Sequence, residues 1–256
     1  MDRVLGPRSM SGIVVTHEGH GPELLLVHGG ASPRTTWKAL RPLAAQYRLV
    51  LAHRRGYPPS PPGPHDFEQD ALDLAPLLQS HPHVLAHSYG VLGALIAATA
   101  HPHRIRSLTL IEPPLFYLAP NDPAVENLER MSNAVLTHGL QAEPQVLREF
   151  LALAGAPDVP DGPLPAKLAH TIQRAHNGAL PGGARPPLHT LRDAGVSSLV
   201  ASGGHSDAIE RICDALAREL HAERVVLAGA GHFVQSAPGF AEHLTRHLAS
   251  AEQPTA

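Results

Sequence analysis

The sequence predicts an α/β protein in which a mostly parallel sheet is covered by helices on both faces. Short apolar segments alternate with longer segments in which apolar residues recur every three or four positions. Several of the short segments are almost entirely apolar, which is typical of strands buried on both sides. Proline and glycine account for 26 and 22 of the 256 residues, so many turns separate the alternating segments.

Seven short apolar segments are the predicted strands of the sheet. They lie at residues 13–15, 24–27, 49–52, 84–86, 108–111, 199–201 and 225–227. Helical spacing predicts core helices at residues 67–78, 91–100, 209–220 and 240–248. In the first of these, Phe67, Ala71 and Leu74 share one helix face, as expected for a helix that covers a sheet.

One long stretch, residues 117–191, interrupts this alternation. It contains helical patterns at 123–136 and 145–153, and Pro/Gly-rich pieces separate them. An ordinary crossover connection needs far fewer residues. The sequence therefore predicts a core built from residues 1–116 and 192–256, with a helical cap inserted at 117–191.

The composition argues against several other classes of protein. Twenty Lys and Arg against 23 Asp and Glu leave a formal net charge of −3, which provides no basic face for nucleic acid. A single cysteine, Cys213, allows neither an internal disulfide nor a four-cysteine zinc site. The N-terminal residues lack a secretory signal, and no apolar stretch has the length of a membrane span. We expect a soluble, cytoplasmic protein with no nucleic-acid or membrane partner.

The segment at residues 84–94 is the most informative for function. An apolar strand runs directly into Ser88 and then into a helix of small residues that include Gly90 and Gly93. A serine in such a tight turn projects its Oγ above the sheet, next to a helix N-terminus. The pattern resembles the nucleophile elbow of the α/β-hydrolase superfamily, G-x-S-x-G, with Ala86 in place of the first glycine. A helix N-cap serine is the alternative interpretation.

Residues 24–30 resemble the strand-to-loop turn of the same superfamily. The resemblance implies that the backbone amides of Gly30 and Tyr89 form an oxyanion hole, which stabilises negative charge as it develops on the substrate oxygen. It also implies that His28 is structural. A phosphate-binding loop is the rival interpretation, but neither G-K-[ST] nor G-x-G-x-x-G follows.

The candidate general base is His232. It follows a predicted strand and a glycine-containing loop, and it comes after the serine in the chain, as in α/β-hydrolases. A neutral imidazole can take the proton of Ser88 and later return it to the leaving group. The histidines at 81, 83, 101 and 103 are interpreted as surface residues. Because their His-Pro-His pairs lack a third ligand, we predict neither a metal nor a cofactor.

Residues 53–60 resemble another superfamily segment, D-x-R-G-x-G-x-S. Arg55, Gly56 and Ser60 match it, while His53 replaces the acid. The resemblance implies that this segment organises loops near the site and takes no direct part in catalysis.

Two carboxylates compete for the role of the triad acid. In the superfamily, the acid usually follows the penultimate strand, about three residues after a glycine. Counted from Gly204, this position holds Asp207, although an acidic residue there also suits the first turn of a helix. Glu112 ends the strand after the serine's own helix, where pancreatic-type lipases draw their acid. We prefer Glu112, because a carboxylate at a buried strand end is costly unless it serves a partner.

The resemblance implies a serine hydrolase that cleaves a small-molecule carboxylic ester, lactone or thioester through an acyl-enzyme. Two alternatives remain open: a non-hydrolytic or C–C-bond-acting enzyme of secondary metabolism, and a catalytically silent ligand-binding member. Candidate substrate contacts at the strand ends are Gly29, Trp37, Phe116 and Tyr117. Five apolar residues of the predicted cap either line a pocket or pack the cap onto the core: Met131, Leu136, Leu140, Phe150 and Leu153.

Overall fold

A single seven-stranded sheet forms the centre of the molecule. The computed structural model describes residues 12–156, 159 and 162–252. The strand order is β1-β3-β2-β4-β5-β6-β7; β1 runs antiparallel to β3, and the other neighbours are parallel. The strands are β1 Val14–Glu18, β2 Glu23–Val27, β3 Arg48–His53, β4 His83–His87, β5 Ser107–Ile111, β6 Ser198–Ser202 and β7 Glu223–Val226. All seven predicted strands are confirmed, with shifted ends.

Nine α-helices lie in the described part of the chain. They are α1 Pro33–Thr36, α2 Phe67–Leu74, α3 Gly90–Ala100, α4 Pro123–His138, α5 Pro144–Leu153, α6 Ala166–Ala175, α7 His189–Asp193, α8 Asp207–Leu220 and α9 Phe240–Glu252. The predicted helix at 67–78 continues past α2 as a 3₁₀ segment, Ala75–Ser80, because Pro76 has no N–H for an α-helical hydrogen bond to Leu72. Within the described residues, no helix combines the length and apolarity that crossing a membrane requires.

The two faces of the sheet have separate apolar cores. Alternate residues of β2 show the division: Leu25 and Val27 belong to the core that includes residues of α2, α3 and α8, whereas Leu24 and Leu26 belong to the core that includes residues of α9 and the 3₁₀ segment Lys38–Ala45. This period of two is the geometry of a strand covered on both sides. The apolar runs seen in the sequence therefore correspond to buried strands.

The chain between β5 and β6 is helical, and its described residues contain no strand. Val135, Leu147, Leu151 and Ile172 form a small apolar cluster that joins α4, α5 and α6, while other residues of α4 pack into the main core. Helix α6 is absent from the predicted helices because Leu168 and Ile172 alone provide large apolar side chains there. The limits of the insertion, 117 and 191, stay a prediction.

The carboxyl ends of the parallel strands meet at one edge of the sheet. The loops after β2, β4, β5, β6 and β7 therefore lie close together in space, although the chain separates them widely. In open α/β sheets this edge is where ligands bind. The predicted site residues belong to these loops.

Candidate active site

Ser88 occupies a sharp turn between β4 and α3. Its backbone has a φ of 53°, in the left-handed region that non-glycine residues adopt at some cost and that recurs at functional sites. A Cβ at Gly90 would collide with the carbonyl oxygen of His28, and a Cβ at Gly29 would lie 2.8 Å from the Ser88 Cβ. The turn thus needs its small neighbours, as the sequence pattern indicated.

The His232 imidazole contacts a buried carboxylate. Its Nδ1 lies 3.3 Å from Oε2 of Glu112, which is 1% exposed. The other carboxylate oxygen of Glu112 accepts a 2.7 Å hydrogen bond from the N–H of Gly203. Asp207, in contrast, is an exposed residue that begins α8 after the N-cap Ser206. The structure therefore brings Glu112, and not Asp207, to His232.

A cavity of about 290 Å³ joins the predicted catalytic groups. Ser88, His232, Gly30 and Tyr89 all line it. Among the described residues, no hydrogen bond joins the Oγ of Ser88 to any partner, and the N–H groups of Gly30 and Tyr89 have no protein acceptor. The hydroxyl and the two amides are thus available to a molecule in the cavity.

Helices of the segment between β5 and β6 form much of the apolar wall of this cavity. Their large apolar contributions are Leu136, Phe150, Leu151, Leu168 and Ile172. Two of the predicted pocket residues, Leu136 and Phe150, are among them. The other three are not part of the lining: Met131 and Leu153 pack with the core, and Leu140 is 37% exposed.

The predicted substrate contacts Trp37, Phe116 and Tyr117 lie elsewhere. Trp37 and Phe116 are buried in the apolar cores on opposite faces of the sheet. The hydroxyl of Tyr117 donates to the carbonyl oxygen of Pro186. None of the three lines the cavity, because their strand-end position in the sequence does not fix the direction of the side chain. Gly29 contacts Ser88, as its crowding shows, but is not part of the lining either.

The loop after β2 is held by residues that the sequence did not single out. The buried guanidinium of Arg54 pairs with Asp70 at 2.7 Å and donates to the carbonyl oxygen of Gly29 at 3.1 Å. The hydroxyl of Tyr57 lies 2.8 Å from the carbonyl oxygen of Gly30. The motif at 53–60 pointed to Arg55, but Arg55 pairs with Asp73 outside the cavity. The expectation that this segment organises a nearby loop agrees with these contacts.

His28 uses both ring nitrogens on the backbone of this loop. Its Nε2 accepts from the N–H of Arg54 at 3.2 Å, so Nδ1 carries the hydrogen and donates to the carbonyl oxygen of Gly29 at 3.0 Å. Burial lowers the pKa of His28 well below its usual value, which keeps the ring neutral. These contacts give His28 the structural role that the resemblance implied.

Two more histidines surround His232. Nε2 of His87, the residue before the serine, lies 2.9 Å from the carbonyl oxygen of His232. Nε2 of His205 lies 3.0 Å from the carbonyl oxygen of Leu153, and its Nδ1 lies 3.7 Å from Oε1 of Glu112. His87 fills the unspecified position before the serine in the G-x-S-x-G pattern, and His205 belongs to none of the motifs discussed above. With 19 histidines in the chain, nothing in the sequence singled these two out.

Burial controls the charge of the Glu112–His232 pair. It lowers the pKa of His232 to about 3, and the nearby His205 acts in the same direction. It also raises the pKa of Glu112 to about 7, although His205 and the Gly203 N–H oppose the rise. Desolvation penalises the charged form of each group. His232 is therefore a neutral imidazole, which is the form that accepts a proton.

Two curated relatives match about half of the chain. A pimeloyl-[acyl-carrier protein] methyl ester esterase from Aeromonas hydrophila subsp. hydrophila is 32% identical over 118 residues, which span 44% of this chain and 46% of that protein. The protein of the same name from Aeromonas salmonicida is 31% identical over 118 residues, with the same coverage. The match thus spans less than half the length of either relative.

Solved structures match the fold over most of the chain. A membrane phospholipase A, described as a novel bacterial virulence factor, has a TM-score of 0.69 at 23% identity, covering 94% of this chain and 83% of its own. A thermophilic esterase from Thermogutta terrifontis has a TM-score of 0.66 at 22% identity, covering 94% of this chain and 95% of its own. At these identities the likeness shows a shared fold.

The family is established by a match to most of the sequence. Residues 24–242 fit the family model described as "Alpha/beta hydrolase family". The matched region begins at the strand before the Gly29–Gly30 turn and extends beyond His232, so it contains every predicted catalytic residue. The chain belongs to the alpha/beta hydrolase family.

Proposed function

We propose that this protein hydrolyses a carboxylic ester through an acyl-enzyme on Ser88. The observation that supports the proposal most strongly is the convergence of Ser88 and His232 on one cavity, with His232 in contact with the buried Glu112. Family membership supports a hydrolase, and the ester-cleaving relatives support an ester as the substrate.

In the proposed reaction, Ser88 Oγ attacks the ester carbonyl carbon while Nε2 of His232 accepts the hydroxyl proton. The amides of Gly30 and Tyr89 donate to the oxyanion of the tetrahedral intermediate, and each such donor contributes about 3–4 kcal/mol. His232 then gives its proton to the departing alcohol. Water repeats the sequence on the acyl-enzyme, which releases the acid and restores the serine.

Glu112 is the proposed acid of this triad. Its Oε2 faces the Nδ1 of His232, so it fixes the tautomer that leaves Nε2 free, and it stabilises the imidazolium formed during attack. The mechanism also requires Ser88 Oγ and His232 Nε2 to come within hydrogen-bond reach. In the absence of substrate this contact is often long in hydrolases, and it tightens as the substrate binds.

The acyl group is proposed to be small and apolar. The helices between β5 and β6 supply five large apolar side chains to the wall of the 290 Å³ cavity, and a buried apolar wall favours a hydrocarbon chain. We therefore propose that residues 117–191 act as a cap that selects the acyl group. The exposed Lys167 also lines the cavity.

The test combines active-site labelling with an ester series. A fluorophosphonate should label the wild-type chain at Ser88, and Ser88→Ala should remove both the label and the turnover of p-nitrophenyl esters. Turnover should peak within the series and fall for acyl chains too long for the cavity. A wild-type chain that takes no label would overturn the proposal. Labelling with only trace turnover of every ester would favour the C–C-bond-acting alternative.

A further inference from the structure

We propose that Glu112, His205 and His232 form a binding site for one Zn²⁺ ion, and that zinc bound there blocks the serine. The binding itself is independent of the proposed esterase activity, whereas the block rests on it. The three residues come from the loops after β5, β6 and β7, so only the folded chain brings them together.

The distances between the donor atoms suit a small ion. One ligand atom from each of the three residues lies within 4.8 Å of the others. The Glu112 Oε2–His232 Nδ1 distance is 3.3 Å, and the Glu112 Oε1–His205 Nδ1 distance is 3.7 Å. With Zn–N and Zn–O bonds of about 2.0–2.1 Å, tetrahedral ligand atoms lie about 3.4 Å apart. Small side-chain shifts would therefore complete the geometry.

His205 is already oriented as a ligand. Its Nε2 donates a hydrogen to the carbonyl oxygen of Leu153 at 3.0 Å, so its Nδ1 carries a lone pair. That nitrogen is buried and has no hydrogen-bond partner among the residues that the structure describes. A histidine that binds a metal through one nitrogen commonly donates the other N–H to a backbone carbonyl in this way.

A cation beside the lone pair of His205 Nδ1 would be electrostatically favourable. Nδ1 of His205 faces Oε1 of Glu112 across 3.7 Å, and two electron-rich atoms at this distance repel each other. Glu112 is buried, so water screens the repulsion poorly. A cation between the two atoms would turn this repulsion into attraction at both of them.

The ligand types favour zinc over other common divalent ions. Two imidazole nitrogens and one carboxylate oxygen suit Zn²⁺, while Mg²⁺ and Ca²⁺ prefer sites made only of oxygen. The prediction of no metal from the sequence rested on the His-Pro-His pairs at 81–83 and 101–103. These three ligands share no sequence spacing that would reveal a site, since positions 112, 205 and 232 are far apart.

Zinc would act on the serine through the tautomer of His232. To bind zinc, Nδ1 of His232 must give up its hydrogen, and that proton moves to Nε2 of the same ring. Nε2 then has no lone pair to accept the proton of Ser88. Glu112 becomes a metal ligand at the same time and no longer orients the ring. Removal of the ion would reverse both changes.

Calorimetry on the full chain tests the binding directly. After treatment with a chelator, the wild-type protein titrated with ZnCl₂ should show one tight site, while MgCl₂ and CaCl₂ should give no heat of binding there. His205→Ala and His205→Gln should weaken this site at least tenfold, because each removes one imidazole ligand. The glutamine variant retains an N–H for the carbonyl of Leu153, which helps to preserve the fold.

The matched control is His103→Ala, which removes an exposed histidine outside the cluster. It should bind zinc as the wild type does, and so should Ser88→Ala. A wild-type chain without a tight zinc site would overturn the proposal. So would His205 variants that are folded by circular dichroism and bind zinc as tightly as the wild type.

Fluorophosphonate labelling then tests the block. Zinc should slow the labelling of Ser88 in the wild type and in His103→Ala, a chelator should restore it, and His205→Gln should resist zinc. Zinc that binds with full affinity but leaves labelling unchanged would refute the block. If the chain takes no label even without zinc, the proposed function fails, and calorimetry still decides whether the site exists.

Discussion

The two ends of strand β4 place a histidine in opposite environments. At the amino end, both ring nitrogens of His83 have partners: Ser107 Oγ at 2.7 Å and Glu252 Oε1 at 2.7 Å. At the carboxyl end, Nε2 of His87 bonds to a backbone carbonyl, and its buried Nδ1 has no hydrogen-bond partner in the described part of the chain. Only the second end borders the cavity.

The glutamates at these two ends differ in the same way. Glu252 is partly exposed and pairs with Arg106 as well as His83. Partial burial raises its pKa, but hydrogen bonds from Arg106 and His83 outweigh this, so the pKa is lowered overall. Glu112 is buried and faces two histidines, and no arginine of the described residues lies within ion-pair distance of it. Its pKa is raised to about 7.

The comparison separates structural from functional polar groups. At the amino end, an arginine and exposure to water stabilise the charge, as in ordinary surface ion pairs. At the carboxyl end, the carboxyl group is buried and faces two histidines instead of an arginine, which is the arrangement expected of acid–base chemistry. Four predictions test this contrast, and they run from the largest expected effect to the smallest.

The largest effect is expected from neutralising each glutamate. Glu112→Gln should lower kcat/KM for a p-nitrophenyl ester by about 10³- to 10⁴-fold, because an amide cannot hold the productive tautomer of His232 or stabilise its cation. Glu252→Gln and Asp207→Asn should leave turnover unchanged. Steady-state kinetics on the three variants decide the matter. Full activity of Glu112→Gln together with a large loss in Asp207→Asn would reassign the acid.

The second prediction compares two arginines. Arg54→Met should destabilise the fold by about 3–5 kcal/mol, because it leaves the buried carboxylate of Asp70 without its partner. Arg106→Met at the amino end removes a partly exposed pair and should cost about 1 kcal/mol or less. Urea unfolding measures both free energies. Equal losses in the two variants would contradict the contrast between buried and exposed pairs.

The sequence predicts the sheet well, because each strand carries its own signal. A buried parallel strand such as β2 is apolar in nearly every position, so it can be predicted without knowledge of the strands beside it. Ser88 is also visible, since the crowding at Gly90 leaves a local pattern. His232 follows from chain order within a family. The order of elements in the sequence therefore predicts the fold and leads to two of the proposed catalytic residues.

Side-chain direction and long-range contacts could not be predicted in this way. Arg54 and Arg55 are neighbours in an irregular loop, and only the fold determines that the first enters the core while the second pairs with Asp73. His205 meets Glu112 across 93 positions (205 − 112) without any motif. Trp37 follows the loop at the end of β2, yet its side chain is buried in the apolar core. Such contacts depend on how separate loops meet.

The third prediction concerns the pH dependence of stability, which should have opposite signs for the two glutamates. The folded-state pKa of Glu112 is raised from 4.5 to about 7, so its contribution to stability is present below pH 4.5 and is lost as the pH rises through 7. The loss amounts to about 3 kcal/mol. The pKa of Glu252 is lowered, so its contribution is present above the ordinary value and is lost as the pH falls.

Unfolding curves from pH 4 to pH 8 measure this difference. Relative to wild type, Glu112→Gln should gain stability as the pH rises, since the variant avoids burying a charge. Glu252→Gln should lose a little stability over the same range. The titration of His232, whose folded pKa is lowered, is common to wild type and Glu252→Gln, so that pair isolates Glu252. A Glu112→Gln difference that stays constant with pH would show that this carboxyl is not titrating in the fold.

The smallest effect is expected from the loop that carries the proposed oxyanion amide. Tyr57→Phe removes the hydroxyl that donates to the carbonyl oxygen of Gly30 at 2.8 Å. A neutral hydrogen bond of this kind contributes about 1 kcal/mol, so kcat should fall about fivefold. KM should change little, because the amide of Gly30 acts on the oxyanion more than on the bound ester.

The control is Tyr117→Phe, which removes a hydroxyl that contacts Pro186 away from the cavity. It should leave kcat unchanged. If Tyr57→Phe raised KM and left kcat as it was, the Gly30 loop would be binding the substrate in its ground state, and the amide of Gly30 would have to be removed from the proposed oxyanion hole.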